Sequence, residues 1–349
     1  MNISASDFVS QFNPQNDILL DVRSEGEFYD GHLSHAVNIP ILNNEHRHLV
    51  GLCYKEKGQD NAIKRGHELV DPIKPDLVTR WCDLGKSKKL YVHCWRGGLR
   101  SQLASQWIRE NNREVLTIEG GYKSVRKKLA QQFEREHPFM VVTGLTGCGK
   151  THFLHSLERN LYIDLEAIAH HRGSAFGVIP GKRPMQQTFE NELAFQLSHQ
   201  EGFFLLEDES RMIGGLKIPD SFFMQMQKAS YLVLDSGLEE RMESIYLDYI
   251  ENSQLEADAL EQQMLHSLNR IKVRLGGARF KILEDVMKRA FSTNDKNLHM
   301  KWIKVLLENY YDPSYSKRIK KIKDRIVYRG NKQELHEFIS NRARGSGTR

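Results

Sequence analysis

Hydrophobic and polar positions follow two patterns along this chain. Short apolar runs at 18–22, 89–93, 139–143 and 203–206 are bounded by polar residues, which is typical of buried parallel strands. Elsewhere apolar residues recur three and four positions apart, and this spacing predicts amphipathic helices. From about Leu238 the helical spacing continues to the basic end of the chain. The pattern predicts an α/β fold with parallel sheets and a helical C-terminal region.

The 349 residues exceed the length of one ordinary domain. Residues 1–125 are interpreted as a first α/β domain. Residues 126–138 are rich in Lys, Arg, Gln and Glu and predict a helical linker, which Pro138 ends. A second α/β domain is expected over 139–237, and a helical, basic region over 238–349.

Composition narrows the class of protein. The hydrophobic fraction of 40% and the charged fraction of 27% are ordinary for a globular chain and exclude a largely disordered one. No run approaches the roughly 18 apolar residues that cross a bilayer, and the N-terminus lacks the features of a signal peptide. We therefore expect a cytoplasmic protein that does not bind membranes and whose cysteines are reduced.

Positive charge is concentrated near the C-terminus. Residues 310–349 hold 11 Lys and Arg against 4 Asp and Glu, so the other 309 residues carry −2 of the net +5. This distribution favours a polyanionic partner, with RNA or DNA as the first candidate, although a solvated helical face would look the same. The expected phosphate contacts are Lys317, Arg318, Lys320, Lys321, Lys323 and Arg325.

One candidate nucleophile is the cysteine in the segment HCWRGGLRS, residues 93–101. An apolar strand leads to Cys94, and a helix is predicted from Ser101. Backbone N–H groups at a helix N-terminus favour a thiolate and cradle oxyanions. Trp95 is a candidate platform for stacking an RNA base, or else an aromatic packed within the loop. The residues expected to hold the anion are Arg96, Gly97, Gly98, Arg100 and Ser101.

The first 125 or so residues resemble the rhodanese family. The resemblance implies a sulfurtransferase-type fold with Cys94 as the chalcogen-carrying nucleophile. Arg100 follows Cys94 by six positions, the loop length of rhodanese-like phosphatases, which puts thiosulfate chemistry in doubt and allows a tetrahedral phosphate-like ligand. Besides the Cys94 loop, the segments that carry the resemblance are 19–23, 27–28, 31–33 and 36–40. Four residues are expected to be structural: Asp21, Arg23, His32 and His93. Segment 41–88 is longer than a minimal rhodanese needs, and could face RNA or cap the domain.

A second loop, GLTGCGKT at 144–151, fits the pattern G-x-x-x-x-G-K-[ST]. It lies between a predicted strand and a predicted helix, the context that a phosphate-binding loop requires. Lys150 supplies a positive charge, and the Thr151 hydroxyl suits a Mg²⁺ ion. ATP, GTP and an organic diphosphate would all fit this motif. The expected diphosphate contacts are Gly144, Thr146, Gly147, Gly149, Lys150 and Thr151; Cys148 is interpreted as a spacer.

Acidic residues follow the strand predicted at 203–206. Carboxylates at a strand end beside a phosphate loop can hold Mg²⁺ or accept a proton, whereas a solvated turn would need neither. No metal is assigned from the sequence. The further residues expected at this site are Arg172, Glu207, Asp208 and Arg211.

Together the two loops and four other stretches resemble the bacterial tRNA 2-selenouridine synthase family over nearly the whole chain. The resemblance implies that tRNA with a wobble 2-thiouridine is geranylated on sulfur by geranyl diphosphate. Selenium from selenophosphate then replaces the geranylthio group, without a tightly bound cofactor. Loop 144–151 would grip the diphosphate, and Cys94 would either carry selenium as a perselenide or attack C2 of the base. The four stretches are 171–177, 186–191, 207–214 and 310–315.

Three other functions remain open. The phosphate loop would also serve an ATP-dependent RNA sulfurtransferase or kinase, and turnover of ATP would favour that interpretation. The spacing between Cys94 and Arg100 would also suit a phosphatase. A non-enzymatic RNA-binding protein is the third alternative, against which the two intact reactive loops argue.

Overall fold

The structure is a computed structural model that describes residues 1–345, so the last four residues of the predicted basic tail lie outside the described part. It divides into two compact units. The first consists of Met1–Arg135 with Pro184–His199, and the second of Glu136–Arg183 with Gln200 to the end of the chain. Each unit is built on its own parallel sheet.

The strands are β1 (Asn2–Ile3), β2 (Asp17–Asp21), β3 (Ala36–Asn38), β4 (Lys89–His93), β5 (Leu116–Ile118), β6 (Phe139–Thr143), β7 (Tyr162–Ile163), β8 (Phe204–Glu207), β9 (Met212–Ile213), β10 (Leu216–Lys217), β11 (Ser230–Leu234) and β12 (Ile326–Gly330). The helices are α1 (Ala5–Gln11), α2 (Glu25–Asp30), α3 (Asn44–Val70), α4 (Lys74–Asp83), α5 (Leu99–Glu110), α6 (Gly121–Ala130), α7 (Lys150–His155), α8 (Leu165–Ala169), α9 (Gln186–His199), α10 (Asp220–Lys228), α11 (Leu238–Tyr246), α12 (Ala257–Arg270), α13 (Lys272–Leu275), α14 (Gly277–Thr293), α15 (Lys296–Leu306), α16 (Asp312–Ile322) and α17 (Lys332–Gly345). Short 3-10 and π-helical turns connect several of them.

The first unit has the parallel strand order β1-β5-β4-β2-β3. Its core contains Leu20, Val92, Trp81, Trp107 and Ile108, all nearly inaccessible to solvent. Continuous apolar strands such as β4 are expected where helices cover both faces of a parallel sheet. The carboxyl ends of β2 and β4 therefore lie side by side, at the edge where ligands of such sheets bind.

Helix α9 belongs to the first unit although it follows the phosphate-loop segment in the chain. It packs on α1 and α6. Arg126 forms an ion pair of 2.7 Å with Glu190, and the Asn191 side-chain amide donates to the His32 carbonyl oxygen over 2.7 Å. These contacts explain why α9 packs with the first sheet rather than the second.

The segment predicted as a helical linker, 126–138, consists of the end of α6 and a 3-10 turn at Gln131–Glu134. Val125 and Leu129 of α6 are buried, while Lys127 is exposed on the opposite face. The charged composition therefore reflects the exposed face of a helix that packs on the first unit.

The second unit has the parallel order β12-β11-β6-β8-β7, with β6 in the middle. Strand β12 lies in the region for which the sequence predicted helices alone. Its β-branched and aromatic residues Ile326, Val327 and Tyr328 suit a strand paired with β11. Five residues are too few to interrupt a helical pattern that extends over a hundred positions, so the periodicity missed them. The helices of this region bury a separate cluster around Leu268, Met287 and Trp302.

Candidate functional site

Cys94 lies at the carboxyl end of β4, in the loop that leads into α5. Its side chain is 3% exposed, and Sγ lies 3.2 Å from the Ser101 hydroxyl oxygen. Helix α5 starts at Leu99, two residues before the predicted start, with Gly98 as its N-cap. The helix therefore begins in the loop that carries the sulfur, and N–H groups at a helix N-terminus can bind an oxyanion.

The Cys94 loop is closed by the start of α6. The Tyr122 N–H group donates to the Cys94 carbonyl oxygen over 2.9 Å. Gly97 has a φ of +68°, and a Cβ atom there would lie 2.8 Å from the Gly120 nitrogen. Only glycine adopts such a positive φ without strain and has no Cβ atom to clash, which explains why residue 97 of the motif is a glycine.

The guanidinium group of Arg100 is held by a carboxylate that the sequence did not assign. Arg100 donates to both carboxylate oxygens of Glu27, over 2.6 and 3.1 Å. Burial acts to raise the pKa of Glu27, but the hydrogen bonds and charge of Arg100, together with the charge of Arg47 and the Ser24 N–H group, outweigh it and lower that pKa. The pair fixes an Arg side chain beside the Cys94 loop. In the sequence, Glu27 belongs to segment 27–28, which supported the rhodanese resemblance but for which no role was predicted.

The other predicted residues of this loop are placed as follows. Trp95 is half-buried, with its ring 5.3 Å from that of Tyr122, whereas Arg96 is exposed. Asp21 and Arg23 form a fully buried bidentate ion pair, as expected for a structural pair. His93 is also completely buried, which lowers its pKa.

In the second unit, loop 144–149 connects β6 to α7 as the motif predicts. Gly147 has a φ of +81°, and a Cβ atom there would lie 2.8 Å from the Arg241 carbonyl oxygen. The Arg241 side chain donates to the Thr146 carbonyl oxygen over 3.2 Å and binds both carboxylate oxygens of Asp312, each over 2.8 Å. Arg241 is 3% exposed and Asp312 is partly buried, and this pair supports the phosphate loop from the helical region.

Lys150 begins α7 and lies near several acidic or phenolic groups. Burial acts to lower its pKa, but Tyr315, Cys148, Glu207 and Glu209 together raise it well above the usual value. Its ammonium nitrogen lies 5.7 Å from the centre of the Tyr315 ring. The side chain is thus held as a cation, ready to neutralise a phosphate group.

Three glutamates form a cluster beside Lys150. Glu166, Glu207 and Glu209 each have a carboxylate oxygen within 4.8 Å of the others. Burial and the neighbouring carboxylates raise the pKa of Glu166 to about 10 and that of Glu209 to about 8. One oxygen of Glu207, Oε1, is buried without a hydrogen-bond partner. Glu166 and Glu209 were not among the predicted site residues. Glu209 lies in the acidic segment after the strand at 203–206, which was a signal for it, whereas nothing local distinguishes Glu166 from a solvated acid.

The phosphate loop, Lys150 and the three glutamates open into one cavity of about 780 Å³. Arg172 and Lys317 also line it. The Arg172 guanidinium group lies 5.0 Å from the centre of the Tyr249 ring and donates to the Asp248 carbonyl oxygen. Apolar and aromatic residues complete the wall: Ala175, Ile179, Ile245, Tyr249, Tyr310, Tyr311 and Pro313. The cavity therefore combines a charged end, which contains the phosphate-loop motif, with an apolar surface.

Several predicted cations make other contacts. Arg318 forms an ion pair with Asp208, which also accepts from the Thr143 hydroxyl over 2.8 Å. Arg211 donates to Asp220 over 3.0 Å, and both side chains are about half exposed. The Arg325 guanidinium group lies 5.4 Å from the centre of the Tyr231 ring. Arg211 is not among the residues that line the cavity, and Arg318 is engaged by a carboxylate. The remaining cations of the predicted set are Lys317, Lys320, Lys321 and Lys323.

All four cysteines are free thiols. Cys148 is buried within loop 144–149, and burial raises its pKa. Within residues 1–345, no helix has both the length and the apolar character to cross a bilayer.

Known proteins show which family this architecture belongs to. Residues 4–128 match the rhodanese-like domain, and residues 137–345 match the tRNA 2-selenouridine synthase AAA domain. The tRNA 2-selenouridine synthase of Shewanella frigidimarina (strain NCIMB 400) is 37% identical over 93% of this chain and 94% of its own length. That of Shewanella oneidensis is 39% identical over 94% of this chain and 93% of its own. A rhodanese-related protein from Thermoplasma volcanium is 24% identical, with a TM-score of 0.23, over 36% of this chain and 91% of its own.

A rhodanese-like domain followed by a phosphate-loop domain defines a two-domain transferase, and the predicted fold class is confirmed. This chain belongs to the tRNA 2-selenouridine synthase family. The family resemblance drawn from the sequence is thereby confirmed, as is the expectation of an enzyme that modifies tRNA.

Proposed function

We propose that this protein converts 2-thiouridine at the wobble position of tRNA into 2-selenouridine, in the cytoplasm, with geranyl diphosphate and selenophosphate as co-substrates. The observation that carries the proposal is the presence of both complete anion-binding loops in a chain 37–39% identical to synthases over its length. No tightly bound cofactor is needed, because the diphosphate ester and selenophosphate are already activated.

In the first step the sulfur of 2-thiouridine attacks C1 of geranyl diphosphate. The C–S bond forms, the C–O bond breaks with its electron pair going to diphosphate, and the base loses its N3 proton. Lys150 and the N–H groups of loop 144–149 stabilise the negative charge on the leaving diphosphate. The apolar wall of the 780 Å³ cavity suits the hydrocarbon end of this substrate.

The glutamate cluster fits a divalent cation such as Mg²⁺. Hard cations prefer carboxylate oxygens, and Glu166, Glu207 and Glu209 present three such groups next to the Thr151 hydroxyl, which hydrogen-bonds to Glu207. The buried, unpartnered Oε1 of Glu207 is the donor atom that a cation would satisfy. When bound, the ion would add positive charge beside the diphosphate.

In the second step the Cys94 thiolate forms a bond to C2, and geranylthiolate leaves with the electrons of the C2–S bond. The selenium of selenophosphate then attacks C2, and the Cys94 thiolate leaves. Water then cleaves the P–Se bond and releases phosphate. Of the two roles considered for Cys94, attack on C2 is the one that needs no oxidant, because phosphorus keeps the oxidation state that it has in phosphate. Forming a perselenide from selenophosphate would instead leave phosphorus two electrons more reduced than phosphate, and no oxidant is supplied.

Glu27 is proposed as a positioning residue for Arg100. Replacing Glu27 with alanine frees the guanidinium group, so the KM for selenophosphate is expected to rise about 10–100-fold with a smaller change in kcat. Glu27→Gln keeps an acceptor and should lie between the two. Steady-state selenation of geranylated tRNA measures this, with the exposed Glu45→Ala variant as control. A fall in kcat alone would contradict the positioning role.

Salt dependence tests the contribution of the basic C-terminal segment to tRNA binding. Four lysines, at 317, 320, 321 and 323, give an expected slope of log K against log salt of about −3 to −4. Replacing Lys320, Lys321 and Lys323 together by alanine should reduce the magnitude of the slope by about 2–3. Titrations of tRNA binding from about 50 to 200 mM salt measure this slope, with Lys281→Ala as the control variant. An unchanged slope would assign RNA binding elsewhere.

Nucleoside mass spectrometry of 2-thiouridine tRNA tests the proposed function directly. Geranyl diphosphate alone should give the geranylated nucleoside, and adding selenophosphate should convert it to the seleno form. Turnover of ATP with no geranylation would instead favour the ATP-dependent sulfurtransferase or kinase.

A further inference from the structure

The first unit contains a second large cavity, of about 710 Å³, which none of the steps above uses. It lies between α3, in the long segment after the first strands, and α5, which starts in the Cys94 loop. Its volume is within the roughly 300–1,000 Å³ of small-molecule sites. The apolar residues of its wall include Leu42, Val50, Ala62, Ile63, Leu103 and Trp107.

Apolar side chains also remain exposed around this cavity. Leu52, Tyr54 and Leu99, which line it, are 40%, 57% and 45% exposed. Exposed apolar side chains that adjoin one cavity are typical of a binding surface. The hydrophobic effect therefore favours an apolar occupant.

The cavity adjoins the proposed selenation site. Leu99 and Arg100 belong to the segment that follows Cys94, and both line the cavity. Arg100 is also the residue that Glu27 holds beside the anion-binding loop. A molecule whose reacting atom is at Cys94 could therefore extend a chain into the cavity.

Basic groups complete the wall. Arg47, His48, Lys55 and His67 line the cavity, and Arg47 also contacts Glu27 over 3.0 Å. These side chains suit an occupant that is apolar in itself but attached to a polyanion. Charge complementarity thus favours a hydrocarbon group carried by RNA over a free lipid.

We propose that this cavity binds the hydrocarbon chain carried on the sulfur of the RNA base while selenium replaces that sulfur. The inference rests on the proposed function and deepens it, because it places the leaving group of the second step in the first unit. The residues of α3 that line the cavity then contribute to substrate binding, since they form the wall that holds the hydrocarbon chain. The cavity would thereby select tRNA that has already been alkylated.

Two glycines allow the cavity to be filled without disturbing its wall. Gly51 and Gly66 line the cavity; a Cβ atom at Gly51 would meet nothing within 4 Å, and one at Gly66 would lie 4.0 Å from Val50 Cγ2. Gly51→Phe and Gly66→Leu therefore occupy the space, and both replacements favour the helix. Lys64→Leu adds a similar side chain to the same helix on an exposed position outside the cavity.

The experiment compares selenation of tRNA carrying S-geranyl-2-thiouridine with tRNA carrying S-methyl-2-thiouridine. Filling the cavity should lower the geranyl-to-methyl ratio of kcat/KM at least about tenfold, the lower end of what a methylene-sized misfit costs in an apolar pocket. Lys64→Leu should keep the wild-type ratio. Wild-type ratios in both glycine variants would overturn the inference while leaving the proposed function intact.

A binding measurement tests whether the cavity holds the hydrocarbon chain, independently of turnover. Full-length protein with Cys94→Ser is titrated with the S-geranyl and S-methyl nucleosides, with and without Gly51→Phe. Tighter binding of the geranyl nucleoside that Gly51→Phe abolishes supports the cavity, even if no tRNA is selenated and the proposed function fails. Equal binding with and without Gly51→Phe overturns it.

Discussion

Replacing Lys150 with alanine is expected to lower geranylation of 2-thiouridine tRNA by about 10²–10³-fold, the cost of removing one stabilising group from a developing anion. Its ammonium group is held as a cation at the start of α7, beside the loop proposed to bind diphosphate. Selenation of tRNA that already carries the geranyl group should fall much less, because no diphosphate leaves in that step. Separate assays of the two steps with the same protein measure both rates.

Lys281→Ala is the matched control for the Lys150 variant. Lys281 is an exposed lysine of the second unit in α14, outside the cavity. It should leave both rates at the wild-type level. If Lys150→Ala instead suppresses selenation of pre-geranylated tRNA more than geranylation, loop 144–151 does not grip geranyl diphosphate.

Replacing Cys94 with serine is expected to lower selenation at least about 10³-fold, as removal of a catalytic nucleophile does. Geranylation should be largely intact, because its leaving group is assigned to the other loop. The serine hydroxyl fits the same position beside Ser101, so the loop should keep its shape. Nucleoside mass spectrometry of each step gives the two rates.

Cys53→Ser removes a half-buried thiol of the same unit and serves as the control. Wild-type protein given geranylated tRNA without selenophosphate should accumulate a covalent adduct between Cys94 and the base, and Cys94→Ser should form none. Selenophosphate should then release the adduct as selenouridine. Loss of both activities in Cys94→Ser would indicate that the two steps depend on one site.

Local patterns were sufficient for the two loops and for four strands, at 18–22, 89–93, 139–143 and 203–206. The strands predicted at 89–93 and 139–143 have those bounds in the structure, and the run at 18–22 corresponds to Asp17–Asp21. Buried parallel strands are short, apolar and followed by glycine-rich turns, so consecutive residues carry the signal. Strand β12 was not predicted because it is short and only partly buried.

Pairing between distant residues was not predictable. Glu27 and Arg100 are 73 positions apart, and Arg241 and Asp312 are 71 apart. Neither pair produces a periodic or local pattern in the sequence, because side chains so far apart in the chain meet only when the sheet and helices have packed. The same packing directs Arg318 to Asp208 and Arg211 to Asp220, contacts that composition and charge counts cannot distinguish from exposure.

The sequence by itself determined the two loops that are proposed as the chemical centres of this protein, since each consists of consecutive residues between a strand and a helix. Only the tertiary structure decided what surrounds them. It assembled the glutamate cluster beside Lys150, assigned α9 to the first unit, and formed the apolar cavity next to the Cys94 loop. The physical reason is that anion binding by a loop depends on local backbone N–H groups, whereas cavities and buried ion pairs depend on elements far apart in the chain.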